Sequence, residues 1–281
     1  MNWVFLGDSL TEGVGSKRIS YVTQLVTQMR SAQREMRVHE MRLRSVDPRS
    51  FNPDIEVNVA GKMDLDPAQS TSDLWLWNLA CEGQTIESDF AWLPLITTLR
   101  PELVVIFRGS LESIIRPASF HNGAWPWWVP ASWRGYAAMD PRCYFSTTWW
   151  RKAKQQTLDT TRQKTRLKML ACAAGKPLMD QDAFTDHLTT LVRRLRELNT
   201  RVLLLGLLSV DEERFPGSPA HFEAVNAKLR DIANAEGVEF FDWAAQLKGA
   251  RNSLFYRDGF HPNLEGANAL AEALRTRLVN Q

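Results

Sequence analysis

The sequence predicts an α/β fold in which helices cover both faces of a parallel sheet. Short, fully apolar runs such as LVVIF at 103–107 and VLLLGLL at 202–208 are typical of strands buried on both sides. Longer segments between such runs carry apolar residues at steps of three and four, as from Phe184 to Leu198. Strands that alternate with amphipathic helices favour a parallel sheet.

The first part of the chain predicts three strands and two helices. Asn2 to Leu6 is an apolar run that ends at Gly7 and predicts a buried strand. A helical stripe follows, formed by Ile19, Val22, Leu25, Val26, Met29, Ala32 and Met36. Residues 45–72 are rich in Pro, Asp, Ser and Asn and indicate a loop. The next predicted elements are a strand at 74–79, a helix at 86–99 interrupted near Pro94, and the strand at 103–107.

Residues 113–150 break this alternation, because they are dense in Trp, Pro and Gly. A basic stretch at 151–173 then predicts a helix. The alternation returns with a helix at 184–198, a strand at 202–208, a helix at 222–232, a strand at 238–241, and a helix at 264–278 that Asn263 would cap. We therefore expect one domain over residues 1–281, with a Trp-rich and basic insertion or lid at 113–175.

The composition is that of an ordinary globular protein. The 281 residues are 44% hydrophobic and 23% charged, with a formal net charge of +2. These values exclude disordered, collagen-like and coiled-coil chains. No apolar run approaches the roughly 18 to 20 residues of a membrane helix. Eleven Trp stand against four Tyr, and those between 125 and 150 are either a satellite core or a wall that holds a sugar ring or an acyl chain.

The cysteines and the N-terminus favour a reducing compartment. Cys81, Cys143 and Cys172 are far apart and form no CxxC or Cys/His spacing, so we do not expect a zinc site. The sequence also implies no other metal and no organic cofactor. Three scattered thiols suit a reducing environment. The N-terminus lacks the basic and long apolar regions of a signal peptide, and the sequence therefore predicts a cytoplasmic protein.

Two basic runs leave two interpretations open. Residues 151–168 carry a local charge of +6, and residues 30–49 carry a local charge of +3. Such runs are most often solvated helix faces, but they also suit an anionic partner such as an acidic carrier domain. Neither run accompanies a nucleic-acid-binding motif, so we expect no nucleic-acid partner.

Residues that suit nucleophilic catalysis stand near the two ends of the chain. Ligands bind beyond the carboxyl ends of the strands in an open α/β sheet, and Ser9 directly follows the first predicted strand. Asp258 and His261 precede the last helix at a spacing that lets the carboxylate reach the imidazole. A serine hydroxyl needs a base within hydrogen-bond reach, and the base needs an orienting group. We therefore expect a catalytic triad of Ser9, His261 and Asp258.

These motifs resemble those of the GDSL, or SGNH, hydrolase family. The block Gly-Asp-Ser-Leu stands at 7–10, and the block Asp-x-x-His stands at Asp258 and His261. A further block, Asn-x-x-x-x-Gly, corresponds to Asn78 and Gly83. The resemblance covers most of the chain outside the Trp-rich part. It implies a flavodoxin-like three-layer α/β/α sandwich and a serine esterase or acyl-hydrolase.

The third family block departs from its pattern. Where the family has Gly-x-Asn-Asp, this chain has Gly109-Ser110-Leu111-Glu112. The family Asn lends its amide to the oxyanion hole, and Leu111 has no amide to lend. The resemblance leaves the backbone N–H groups of Ser9 and Gly83 as donors, and the loss of one donor typically costs about 10²- to 10³-fold in rate.

Several other residues are candidates for the oxyanion or substrate site. Arg108, Ser110, Ser113 and Asn122 could replace the missing amide, and the sequence does not choose between them. An arginine there would stabilise an oxyanion or hold a substrate anion, whereas the alternative for Arg108 is a salt-bridged strand end. Gly109 belongs to the departing block, and Asn78 suits a structural role better than a binding role.

The predicted function is serine-dependent hydrolysis of an ester, with O-deacetylation of a sugar or another small molecule as the preferred form. One alternative is an acyltransferase or thioesterase that acts on a carrier-bound acyl group. A second alternative is a catalytically weak binding protein with the same fold. Thioesters should outperform oxyesters in the first case, and turnover should be negligible in the second.

Overall fold

The computed structural model describes residues 1–32, 37–42, 73–134, 143, 145–246 and 251–279. The strands are β1 Asn2–Gly7, β2 Arg37–Arg42, β3 Asp73–Asn78, β4 Leu103–Phe107, β5 Ile115–Arg116, β6 Lys176–Pro177, β7 Arg201–Leu205 and β8 Glu239–Phe241. The α-helices are α1 Ser9–Glu12, α2 Tyr21–Ala32, α3 Ile86–Asp89, α4 Leu93–Leu99, α5 Ser110–Ser113, α6 Ser119–Asn122, α7 Trp149–Cys172, α8 Gln181–Glu197, α9 Ser218–Glu236, α10 Trp243–Gln246, α11 Arg251–Leu254 and α12 Leu264–Val279. Single 3₁₀ turns lie at Val14–Ser16, Phe90–Trp92 and Ala131–Trp133.

Six strands form one parallel sheet in the order β2-β3-β1-β4-β7-β8. Without the edge strand β2, this is the 2-1-3-4-5 order of flavodoxin-like sheets. Every residue of β4 is buried although successive side chains point to opposite faces, so both faces of the sheet are covered. Helix α2 packs against α12, and α8 packs against α9. The predicted α/β fold is confirmed.

The long helices form where the sequence has its apolar stripes. In α8 the buried residues are Phe184, Leu188, Leu191, Val192 and Leu195, which are members of the predicted stripe. The predicted cap of α12 is also confirmed, because Asn263 Oδ1 accepts a hydrogen bond from the Gly266 N–H at 2.9 Å.

Two elements differ from the prediction. Strand β2 has the sequence RVHEMR, which gives little of the apolar signal of a strand because an edge strand is only partly buried. The predicted helix at 86–99 is α3, a 3₁₀ turn and α4, and the interruption lies just before Pro94. The predicted loop at 45–72 and the end of the first predicted helix beyond Ala32 lie outside the described residues.

The segment 113–175 begins and ends side by side, because β5 and β6 form an antiparallel pair with Arg116 opposite Lys176. Its basic stretch is the predicted helix, now α7. Three of its six described Trp side chains, Trp125, Trp128 and Trp133, pack with Phe120 around Val129 and Met169 in a small cluster. The other three, Trp127, Trp149 and Trp150, are exposed. Among the described residues, no helix has both the length and the apolar character of a membrane-spanning segment.

Candidate active site

The candidate site lies at the carboxyl end of β1, next to the end of β4. The strand order reverses at this pair, and a crevice forms there in open α/β sheets. Ser9 is the first residue of the short helix α1, and Asp8 caps that helix by accepting the Leu10 N–H at 2.9 Å. The cap fixes the turn that presents the Ser9 hydroxyl at the strand end.

Ser9, His261 and Asp258 form a continuous chain of hydrogen bonds. The Ser9 Oγ lies 2.8 Å from His261 Nε2, although the two residues are 252 positions apart. His261 Nδ1 lies 2.8 Å from Asp258 Oδ2. All three side chains are buried. The structure therefore brings together the three residues that the sequence predicts as a triad, in the order that this chemistry requires.

The loop that carries Asp258 and His261 is fixed by backbone hydrogen bonds to Asp258 and by close packing against Gly15. Asp258 Oδ1 accepts the N–H groups of Phe260 and His261, each at 3.0 Å. A Cβ atom at Gly15 would lie only 2.6 Å from His261 Cβ, so the loop packs where a side chain would not fit.

Asp258 and His261 stabilise each other's charged form. Burial alone would raise the pKa of Asp258, but the charge and hydrogen bond of His261, with the backbone donors, hold it below its ordinary value. Burial alone would lower the pKa of His261, but Asp258 raises it above 6.5, with smaller contributions from Asp8 and Glu82. An imidazolium at this position is therefore favoured by the site.

Ser9 and Gly83 each have a backbone N–H group without an acceptor among the described residues. Gly83 has a φ of +78°, a conformation that an L side chain rarely adopts. Within the described part of the chain, neither the Gly83 N–H nor the Ser9 N–H donates a hydrogen bond. Both residues line the same cavity.

That cavity has a volume of about 650 Å³. Ser9, His261 and Gly83 stand along it, together with Cys143. Its apolar lining consists of Val14, Leu111, Ile114, Phe145, Phe215 and Phe260. Its charged lining consists of Lys17, Arg18 and Glu82. No Trp is among the described residues that line it, so the predicted stacking role of the Trp-rich segment finds no support here.

Arg108 does not line the cavity. Its side chain is fully buried, donates to both carboxylate oxygens of Asp89 at 2.8 and 2.5 Å, and donates to the Gln84 carbonyl at 2.7 Å. Burial alone would lower the pKa of this guanidinium, but Asp89 raises it above its ordinary value. Arg108 is thus the salt-bridged strand end, which was the alternative to a direct site role.

The other candidates near the departing block also lie outside the lining of the cavity. Ser113 Oγ donates to the Gly109 carbonyl at 2.6 Å, and Asn122 Oδ1 accepts the Ala124 N–H at 2.9 Å. Ser110 is buried, and its Oγ has no hydrogen-bond partner among the described residues. Neither Ser110, Ser113 nor Asn122 is among the cavity-lining residues. None of them supplies the donor that Leu111 lacks.

Gly109 and Asn78 serve the fold around the site. Gly109 has a φ of +112°, and a Cβ there would lie 2.8 Å from Val225 Cγ1. Asn78 Nδ2 donates to the Thr11 carbonyl and to Ser20 Oγ, each at 3.3 Å, so it connects the end of β3 to the segment after β1.

Glu112 is a buried acid that holds two loops of the site together. Its Oε1 accepts the Ile86 N–H at 2.8 Å, and this bond joins the segment after β4 to the segment that carries Gly83. Burial raises the pKa of Glu112 to about 7.

Two residues of the site carry no signal in the sequence. Cys143 Sγ lies 3.1 Å from Asp258 Oδ2, and Phe145 lines the cavity and contacts the Tyr256 ring at 5.2 Å between centroids. Both belong to the segment 113–175, which the family motifs do not cover. Only the contact between distant parts of the chain identifies them.

Cys143, Asp258 and His261 also carry sulfur, oxygen and nitrogen atoms within 4.8 Å of one another, as metal ligands would. The same atoms form the hydrogen bonds described above. A cation at this position would have to displace the protons of those bonds.

Comparisons with known proteins agree with this architecture. The model of the GDSL-like lipase/acylhydrolase family matches residues 5–269. A lipase/acylhydrolase from Enterococcus faecalis is similar in structure, with a TM-score of 0.55 and 13% identity over 100% of this chain and 96% of that one. The acetylxylan esterase Axe2 from Geobacillus stearothermophilus has a TM-score of 0.52 and 14% identity over 97% of this chain and 91% of that one.

A third solved structure, the α/β hydrolase LAE5 from the metagenome of Lake Arreo in Spain, has a TM-score of 0.54 and 16% identity over 100% of this chain and 96% of that one. At these identities the structural likeness concerns the fold alone. No curated protein matches the chain in sequence.

Proposed function

The protein belongs to the GDSL-like lipase/acylhydrolase family and is a hydrolase that acts on ester bonds, and we propose that Ser9, His261 and Asp258 carry out the reaction. The single observation behind this proposal is the hydrogen-bond chain from Ser9 Oγ through His261 to Asp258 Oδ2. Family membership favours an enzyme over the weak binding protein that the sequence left open.

The proposed reaction has two halves. His261 Nε2 removes the Ser9 proton while Ser9 Oγ attacks the acyl carbon, and Asp258 stabilises the resulting imidazolium. His261 then protonates the leaving alcohol, which gives an acyl-enzyme. Water attacks that ester with His261 again as the base, and the acid and free Ser9 are released.

The oxyanion of each tetrahedral intermediate would bind the N–H groups of Ser9 and Gly83. Neither donor has a competing acceptor among the described residues, and both residues line the cavity. Leu111 lines the same cavity, and its side chain has no hydrogen-bond donor. We therefore propose an oxyanion hole of two backbone donors.

The proposed substrate is an ester of a small molecule, such as an O-acylated sugar. The volume of about 650 Å³ lies within the range of small-molecule pockets. Leu111, Ile114, Phe215 and Phe260 offer an apolar surface for the acyl group. Two solved structures of similar fold are described as acetyl xylan esterases, and we extend only the bond type to this chain.

Hydrolysis or transfer of a carrier-bound acyl group is a second candidate. Helix α7 begins four residues after Phe145, which lines the cavity, and its first turns expose Arg151, Lys152 and Lys154. An acidic carrier would suit this surface. In that case carrier thioesters would react faster than oxyesters of equal acyl length, and added salt would reduce the carrier reaction selectively.

The test of the main proposal is the loss of activity in Ser9→Ala together with covalent labelling. We expect wild-type protein to hydrolyse short aryl esters and Ser9→Ala to lose that activity. A serine-directed phosphonate should label Ser9, as located by mass spectrometry. Ser110→Ala is the matched control, because Ser110 is buried off the cavity. Full activity in Ser9→Ala, or labelling at another serine, would contradict the mechanism.

A further inference from the structure

We propose that Cys143 is a positioning residue for the hydrolysis: its S–H group donates to Asp258 Oδ2 and orients the carboxylate that holds His261. The inference rests on the proposed function, because it takes Asp258 as the orienting acid. It assigns the segment 113–175 a part in the reaction, although the family motifs lie outside that segment.

The contact completes the set of donors around Asp258. Oδ2 lies 3.1 Å from Cys143 Sγ and 2.8 Å from His261 Nδ1, and Oδ1 accepts two backbone N–H groups at 3.0 Å. The backbone donors and His261 belong to the same short loop as Asp258. Cys143 is 115 residues away in sequence, so it is the donor that fixes the carboxylate against another part of the protein.

The chain around Cys143 is anchored to the catalytic loop a second time. Phe145 packs against Tyr256, two residues before Asp258, with 5.2 Å between ring centroids. Lys17 Nζ lies 5.9 Å from the centroid of the same Phe145 ring. The Phe145–Tyr256 contact thus places a second residue close to Cys143 in sequence against the loop that carries Asp258.

The thiol is protonated and able to donate at neutral pH. Burial raises the pKa of Cys143, and the negative charge of Asp258 raises it further. Glu82 acts in the same direction, and Arg257 acts weakly against it. A thiolate at Cys143 would repel the Asp258 carboxylate, whereas the neutral S–H group donates a hydrogen bond to it.

Removal of this donor should strengthen the stabilisation of protonated His261 by Asp258. The groups that set the pKa of His261 are Asp258, Asp8 and Glu82, which raise it, and burial, which lowers it. His261 must be neutral to act as the base, so activity falls as pH falls through its pKa. When Oδ2 loses the S–H, the unshared carboxylate raises the pKa of His261 further, and the acidic limb moves to higher pH.

The first experiment compares Cys143→Ala with Cys143→Ser on a short aryl ester. We expect kcat of the alanine variant to fall about tenfold, by analogy with the smallest losses caused by removing partners that orient metal-bound ligands. KM should stay nearly unchanged, and the acidic limb of the kcat/KM profile should shift to higher pH. The serine variant keeps a donor and should regain most of kcat and the wild-type limb. Cys172→Ala is the control, because Cys172 is exposed and away from the cavity.

A wild-type kcat and pH profile in Cys143→Ala would overturn the proposal. So would a serine variant as impaired as the alanine variant, because that result would assign Cys143 to packing alone.

The second experiment reads the contact without turnover. In a Cys81→Ser, Cys172→Ser background, Cys143 should react slowly with a neutral maleimide, and Asp258→Asn should accelerate the reaction because it removes the charge that raises the thiol pKa. An unchanged labelling rate in folded Asp258→Asn protein would overturn the proposal. This readout does not depend on Ser9, so failure of the proposed function, seen as an active Ser9→Ala, is distinguishable from failure of this inference.

Discussion

At the scale of a single residue, Leu111 stands where the family pattern has an asparagine with an amide donor. It is 6% exposed and faces the cavity that Ser9 and Gly83 also line. Its side chain adds apolar contact for an acyl group where the family pattern provides an amide donor. If the oxyanion hole is the one we propose, Leu111 gives it one donor fewer and gives the cavity a more apolar wall.

Replacement of Leu111 by Asn should therefore raise kcat on short aryl esters. A new donor aimed at the oxyanion is worth up to about 10²- to 10³-fold, and we expect at least about tenfold because the loop is not otherwise adjusted. Steady-state kinetics of Leu111→Asn beside Leu111→Ala separates the amide from the loss of bulk. Equal kcat values in the two variants would mean that no donor is missing from the hole.

At the scale of elements, buried charged side chains join the segments that follow the strands around the site. The ion pair of Arg108 and Asp89 joins the end of β4 to α3, and Glu112 in α5 joins the same region to Ile86. These groups lie behind the cavity rather than along it. We propose that they act on catalysis only through the placement of the segment that carries Gly83.

Glu112→Gln should stabilise the protein at pH 8 and change little near pH 5. The raised pKa of Glu112, about 7 against 4.5, means that the folded state holds this proton more tightly than the unfolded chain. Wild-type stability therefore declines as pH rises from about 4.5 to 7, by up to about 3 kcal/mol for that shift. Gln keeps the Oε1 acceptor for Ile86 and does not ionise. The difference in Tm between the two proteins, measured across this range, should grow with pH and level off above 7; a constant difference would show that Glu112 does not bind its proton in this way.

At the scale of the whole molecule, the segment 113–175 begins and ends at adjacent points, in a two-stranded sheet that is separate from the central one. Arg116 and Lys176 pair across β5 and β6. The segment places Cys143 and Phe145 on the cavity, while three of its Trp side chains pack in a separate cluster. This arrangement supports our proposal of a single domain with one insertion.

Replacement of residues 117–175 by Asn-Gly tests that proposal, because a two-residue turn can join the paired ends of β5 and β6. We expect the shortened protein to unfold cooperatively at a lower Tm and to lose at least as much activity as Cys143→Ala. Circular dichroism and ester kinetics measure both effects. Phe145→Ala, which keeps the segment, is the control for loss of the wall alone. If the shortened chain does not fold, the segment is part of the main core and the proposal is wrong.

The strands and helices with strong periodic patterns were predictable, because burial on a sheet or on one helix face leaves a local trace in the sequence. Strand β4 has the predicted bounds, and α8 buries the predicted stripe. Strand β2 was not predictable, since RVHEMR carries little apolar signal and its strand conformation depends on pairing with β3. The motif residues Ser9, Asp258 and His261 could be grouped from the sequence because strand ends converge at one edge of a parallel sheet.

The sequence by itself determined the α/β class, the family and the three residues that meet at Ser9, since each depends on a local pattern or a short motif. The tertiary structure alone decided that Arg108 is bound to Asp89 behind the site, that Leu111 faces the cavity, and that Cys143 reaches Asp258. Those outcomes depend on contacts between distant segments. The residue type alone does not show whether a side chain lines the cavity or is buried behind it. Only the packing around the side chain determines which partner it contacts.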